Sequence, residues 1–213
     1  MEIVPQKIMD YVEQHSADEP TILAELRRET WQKIINPRML SGPLQGRVLS
    51  MISKLVKPKI ILEIGTYTGY ATICLSEGLN EEGVIYTIDI NEELKDIQEK
   101  FFKKSKYYKN IKPLLGSALD IIPQLDCKFD LIFIDANKNQ YCDYYDLVIE
   151  KMNIGGIIIT DNVLWSGKVV EKTDYKDTDT ISIMTYNKKL KDDKRVETVI
   201  LPFRDGLSIT RKI

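Results

Sequence analysis

The residues of this 213-residue chain that could do chemistry stand where apolar runs stop. FDLIFID ends at Asp135, with Lys138 three residues on; GGIIITDN ends at Asp161 and Asn162; KIILEIG carries Glu63 and Gly65; GVIYTID ends at Asp89. Two carboxylates and an amide oxygen on two strand ends, Asp135, Asp161 and Asn162, make an all-oxygen donor set. Such a set suits a hard cation such as Mg²⁺ rather than zinc, which prefers Cys and His. Without a cation or a basic partner the two acids would repel each other. Taken singly, each could instead cap the helix that follows it. If a helix starts beyond Asp135, Lys138 stands on the same face. A cation and a partly dry crevice would lower its pKa there and let it take a proton.

LEIGTYTGYAT places Gly65 and Gly69 in a strand-to-helix turn, where a nucleotide-like ligand can approach the backbone. The G-x-x-x-G spacing does not fit the dinucleotide fingerprint G-x-G-x-x-G, which weighs against a dehydrogenase. Asp89, about two dozen residues on, stands where an acid binds ribose hydroxyls, or where one caps the helix after it. Tyr141 and Trp165 could form an aromatic wall or belong to the core, and Asp205-Gly206 also reads as a hairpin turn.

The elements that must position these residues follow from the apolar periods. Residues from about Pro5 to Lys33 read as two amphipathic helices parted near Pro20, NPRMLSGPLQG as a loop, and RVLSMISKLV as helix. Short strands then alternate with helices up to GGIIITDN, and VETVILP and LSITRK close the chain around PFRDG. The expected fold class is α/β: a Rossmann-like, mostly parallel sheet with a C-terminal antiparallel hairpin and helices on both faces. Ligands of such sheets bind outside the carboxyl ends of the strands, so Glu63, Asp89, Asp135, Asp161 and Asn162 are expected in one crevice. One domain is expected over 1–213, with a helical extension over 1–36 and the core over 37–213.

With 43% hydrophobic and 29% charged residues the chain reads as soluble and globular. A net charge of −2 argues against a broad grip on nucleic acid. No run approaches a membrane span, and the acidic start lacks a leader pattern, so a cytoplasmic protein is expected. The three cysteines lack metal or disulfide spacing, and the single His15 argues against a histidine triad or a His-rich zinc site.

Together LEIGTYTGYAT, DANKNQY, GGIIITDNVLWSGKV and PFRDGLSITRK resemble the cation-dependent class I O-methyltransferases, the catechol and caffeoyl-CoA O-methyltransferases and their bacterial relatives. The resemblance runs from about Pro37 to the end, some four-fifths of the chain. It implies S-adenosylmethionine as cofactor, with Glu63, Gly65, Tyr67 and Gly69 in contact with it, Asp89 on its ribose and Gly116, Ser117 and Ala118 by its adenine. Met39 and Ser41 match a loop over its methionine portion. Asp135 counts both with the groups facing the cofactor and, with Asp161 and Asn162, as a ligand of a divalent cation, Mg²⁺ first, then Mn²⁺ or Ca²⁺. Lys138 matches the base, and Asp205 a substrate contact beside Tyr141 and Trp165. Two positions depart from the pattern: Ala71 replaces a serine common in relatives, and Asn137 stands where animal catechol enzymes have tryptophan.

The implied reaction is methyl transfer to a hydroxyl of a catechol-like small molecule, in a homodimer. The alternatives are methylation of a hydroxylated tRNA base, a nucleotide-binding oxidoreductase, and a noncatalytic cofactor-binding protein. No membrane partner is expected, and no nucleic acid other than tRNA.

Overall fold

Alternating apolar runs dictate a layered sheet, and the computed structural model, which describes residues 4–213, has one. Helices α1 (Gln6–Gln14) and α2 (Thr21–Lys33) lead into α3 (Gly42–Val56). Then β1 (Ile60–Ile64), α4 (Tyr70–Ser76), β2 (Val84–Asp89), α5 (Lys95–Lys104) and β3 (Ile111–Leu115) alternate. After them come α6 (Ala118–Ile121), β4 (Phe129–Ile134), α7 (Tyr141–Glu150), β5 (Met152–Asp161), α8 (Thr178–Asp192) and the closing pair β6 (Val196–Leu201) and β7 (Leu207–Lys212). The sheet order is β3-β2-β1-β4-β5-β7-β6, parallel as far as β5 and antiparallel at β7 and β6. The expected parallel sheet with an antiparallel hairpin is what forms. Among the described residues no helix is long and apolar enough to cross a membrane.

Two elements differ from the sequence expectation. The strand β3 is absent from it because IKPLL contains Pro113, which cannot donate to a ladder. It is tolerated because β3 is an edge strand paired with β2 alone. The helix α3 starts at Gly42, inside the stretch read as loop. Pro43 fits a first helical turn, where no N–H is needed. Gly46 lets α3 approach α4: a Cβ there would lie 2.7 Å from the Tyr70 ring and 2.8 Å from Cys74 Sγ.

The period of two along each strand splits the core. Ile61, Ile85, Leu131, Phe133 and Ile159 face one layer with Leu23 and Leu26 of α2, Leu49 of α3, Ile73 of α4 and Phe101 of α5. Leu62, Ile64, Ile88, Ile132, Ile134 and Ile158 face the other, with Tyr145 and Val148 of α7 and Tyr186 and Leu190 of α8. Each such side chain stabilises by roughly 1.5–3 kcal/mol. The central strands are therefore a fixed base for whatever their ends carry.

Candidate active site

Register brings the chemistry to one edge. Ile64 pairs with both Ile88 and Ile134, and Ile134 pairs with Thr160. The next residue on each strand, Gly65, Asp89, Asp135 and Asp161, therefore emerges on a common line. Glu63 does not join them. It lies on the Ile61 face of β1, beneath α4, fully buried, and its Oε2 accepts from Thr72 and Thr87. Burial pushes its carboxyl up to about 8, against those two donors. The expectation that Glu63 meets the cofactor is corrected by strand alternation: it supports the turn from below.

Outside the strand ends lies a cavity of about 880 Å³, lined by Met39, Gly65, Tyr67, Asp89, Gly116, Ser117, Ala118 and Asp135 among others. Its walls are mostly backbone turns stitched together. Gly65 and Thr66 donate to the Ile88 carbonyl, Tyr67 N–H to Asp89 Oδ2 at 2.6 Å, and Gly116 N–H to the Asp89 carbonyl at 2.8 Å. Gly65 (φ +100°) allows a close approach, since a Cβ there would stand 2.0 Å from the Asp135 carbonyl oxygen. Gly69 (φ +89°) lies under the turn, against Phe102, and does not line the cavity. Ser41 also lies outside it, buried, with its carbonyl accepting from Arg204. Ala71, the first departure, is buried within α4, whereas Asn137, the second, lines the cavity.

Asp135 joins this cavity to a polar cluster built from side chains. Lys138 Nζ donates to Asp135 Oδ1 at 3.0 Å and to the Tyr141 hydroxyl at 2.7 Å, and Tyr141 donates to the Asp161 carbonyl at 3.0 Å. Asp161 is 5% exposed, with Oδ1 accepting from Asn162 N–H and Oδ2 from Gln45 Nε2 at 2.7 Å. Burial and then the Asp135 carboxylate push the Asp161 carboxyl up to about 6, while Gln45, Arg204 and the Asn162 N–H hold it down. Asn162 Nδ2 donates to Asp205 Oδ2 at 3.3 Å, which leaves the amide oxygen for another partner. Among the described residues no three His, Cys, Asp or Glu side chains gather as a metal site. The donor set here is two carboxylates and an amide, and the repulsion that raises Asp161 is what a cation relieves.

Two of the three expected substrate contacts are corrected. Tyr141 is fully buried, edge-on to Tyr186 with ring centres 5.3 Å apart, and binds Lys138 from behind. An aromatic at the first position of α7 faces the sheet, so it cannot form an outer wall. Asp205 is occupied as a clamp: its carboxylate accepts from Asn162 and from Ser166 N–H, and its carbonyl from Leu164 N–H. It holds a loop in which Asn162, Trp165, Ser166 and Gly167 all take positive φ. Trp165 is half-buried, its ring centre 5.9 Å from Lys138 Nζ.

Sequence reading missed Gln45 and Arg204. Gln45 is 1% exposed, and the spacing of Gln45, Leu49 and Ser53 on one buried stripe of α3 was an available signal. Arg204 had none, because its partners Ser41 and Gln45 lie about 160 residues away.

A family model described as O-methyltransferase matches residues 13–213. Caffeoyl-CoA O-methyltransferase 5 of Nicotiana tabacum is 34% identical over 210 residues, covering 92% of this chain and 85% of that protein. The O-methyltransferase of Bacillus cereus, solved in complex with SAH, superposes with a TM-score of 0.89 at 26% identity, covering 97% of each chain. SAH-bound methyltransferase PaMTH1 of Podospora anserina gives 0.89 at 28%, over 98% and 94%. These matches set the oxidoreductase alternative aside. The chain belongs to the O-methyltransferase family, class I enzymes that take their methyl group from S-adenosylmethionine.

Proposed function

We propose that this enzyme methylates a hydroxyl of a catechol-like small molecule in a divalent-cation-dependent reaction, with Lys138 as the base. The observation that carries the reading is the hydrogen-bonded run Asp135, Lys138, Tyr141, Asp161 at adjoining strand ends, beside a cavity of about 880 Å³ with room for a nucleoside-bearing cofactor. The tobacco relative is named for a caffeoyl thioester, an ortho-dihydroxyphenyl compound, which supports the acceptor class.

S-adenosylmethionine supplies an electrophilic methyl on a sulfonium, and the turns around Gly65, Asp89 and Gly116 hold it, with Asp89 on the ribose. Asp135, Asp161 and Asn162 would hold a divalent cation, which would supply Lewis-acid chemistry and lower the pKa of an acceptor hydroxyl. Lys138 takes the hydroxyl proton at Nζ, its position set by Asp135 Oδ1 and the Tyr141 hydroxyl. Trp165 lends a face to the aromatic ring of the acceptor. The acceptor oxygen bonds to the methyl carbon as the carbon–sulfur bond breaks, and the sulfur leaves with that electron pair as the neutral thioether of S-adenosylhomocysteine, giving a methyl ether. Positioning and fixed charge supply most of the acceleration.

The test is transfer of labelled methyl from S-adenosylmethionine to caffeate, caffeoyl-CoA and simple catechols, with Mg²⁺ or with EDTA. Transfer is expected with Mg²⁺ and a loss of roughly 10²-fold or more with EDTA. Equal rates in both would overturn the cation reading. Transfer confined to tRNA from an unmodified strain would overturn the acceptor class.

A further inference from the structure

Gln45 is a buried side chain with both ends of its amide committed, and nothing in the transfer step itself uses it. Its Nε2 donates to Asp161 Oδ2 at 2.7 Å, and its Oε1 accepts from Arg204 Nη1. Arg204 has only donors, so the amide oxygen must face it. A carboxylate accepts only, so the amide N–H must face Asp161. Arg204 is itself held, because the same Nη1 also donates to the Ser41 carbonyl just ahead of α3. The amide therefore has one orientation.

That orientation has a consequence at Asp161. Each carboxylate oxygen there has one protein donor, Asn162 N–H on Oδ1 and Gln45 on Oδ2. Each oxygen keeps a remaining lone pair, and the plane of the carboxylate is set by the two donors together. A carboxylate 5% exposed cannot fall back on water to hold that plane if one donor is lost.

We propose that Gln45, fixed by Arg204, is a positioning residue that presents Asp161 to a divalent cation. The inference rests on the cation reading above and adds to it a residue from α3, an element outside the strand ends. A hydrogen-bond partner of a metal ligand contributes roughly 10-fold to 100-fold in metal affinity. Gln45 does not line the cofactor cavity, so its effect is confined to the cation.

Mn²⁺ binding by spin resonance, S-adenosylmethionine binding by calorimetry and turnover against Mn²⁺ concentration test this in the full chain. Gln45→Met keeps the length and removes both hydrogen bonds; Gln45→Asn keeps the amide but is one methylene too short to reach both partners. For either variant Mn²⁺ affinity is expected to fall by roughly 10-fold or more. Affinity for S-adenosylmethionine should stay within about two-fold, and turnover should recover at saturating Mn²⁺. A merely structural glutamine would lower thermal stability and cofactor affinity together and show no such recovery. Asp161→Ala separates the two ideas. If it loses Mn²⁺ while both Gln45 variants bind like the wild type, the cation site stands and the role of Gln45 is overturned. If wild type and Asp161→Ala bind Mn²⁺ alike, the cation reading falls and this proposal with it.

Discussion

The cavity at the strand ends and the polar cluster share Asp135 but are built by different means. The cavity is shaped by backbone: three strand-to-helix turns tied to one another through Asp89 and the Ile88 carbonyl. Its partners are close in sequence, Tyr67 and Asp89 being 22 residues apart. The cluster is shaped by side chains from α3, the ends of β4 and β5, and the turn before β7, with Gln45 and Asp161 116 residues apart. A turn fixes its own geometry through its glycines. A side-chain cluster exists only once the whole sheet has closed, so single substitutions should strike it selectively.

The largest expected effect is on the cluster. Lys138→Met keeps the stem over the Tyr141 and Trp165 rings and removes the amine. Turnover should fall by about 10²-fold or more with cofactor affinity unchanged. Full activity would remove Lys138 from the role of base, and a matching loss of cofactor affinity would mean that the two regions are not separable. A smaller effect is expected on the cavity. Asp89→Ala deletes the acceptor for Tyr67 and Asn91 N–H and the proposed ribose contact. Since a hydrogen bond to a charged group contributes about 1.5–3 kcal/mol, affinity for S-adenosylmethionine should drop by roughly 10-fold or more. Mn²⁺ affinity should not move, and a protein that loses both would break the contrast.

The same contrast decides what the sequence disclosed. The ends of β2, β4 and β5, the turn at Gly65 and the Asp135–Lys138 spacing are local, and each lies at the sheet edge where the apolar periods put it. The hairpin was legible because its two apolar runs flank a turn. The edge strand β3 was not, because Pro113 hides a strand that pairs on one side only. Nor was the burial of Tyr141, whose ring faces the sheet, or the clamp that Asp205 forms on the loop after β5. Gln45 and Arg204 acquire their roles from partners that topology supplies, and no spacing rule reaches across that distance. Glu63 shows the limit within a motif: it stands one residue short of the end of β1, and period-two alternation places it with Ile61, under α4.

Glu63 also yields the smallest expected effect, and it bears on stability alone. Its carboxyl ordinarily titrates near 4.5 and is pushed up to about 8, first by burial and then, against the Thr72 and Thr87 donors, by the Asp135 and Asp89 charges. Between those values the folded chain holds a proton that the unfolded chain has released. Stability from this group is therefore complete below about 4.5 and is lost as pH rises through about 8. Glu63→Gln keeps the shape and cannot ionise, so its thermal midpoint should decline less than that of the wild type across this window. The two curves should diverge by a few degrees per pH unit, since each pH unit between those values is worth about 1.4 kcal/mol and about 1 kcal/mol moves the midpoint of a chain this long by roughly 2–4 °C. Parallel curves for the two proteins would mean that the Glu63 carboxyl is not held protonated by its surroundings. A flatter curve with cofactor affinity intact would establish that this acid of the glycine motif serves the turn rather than the ligand.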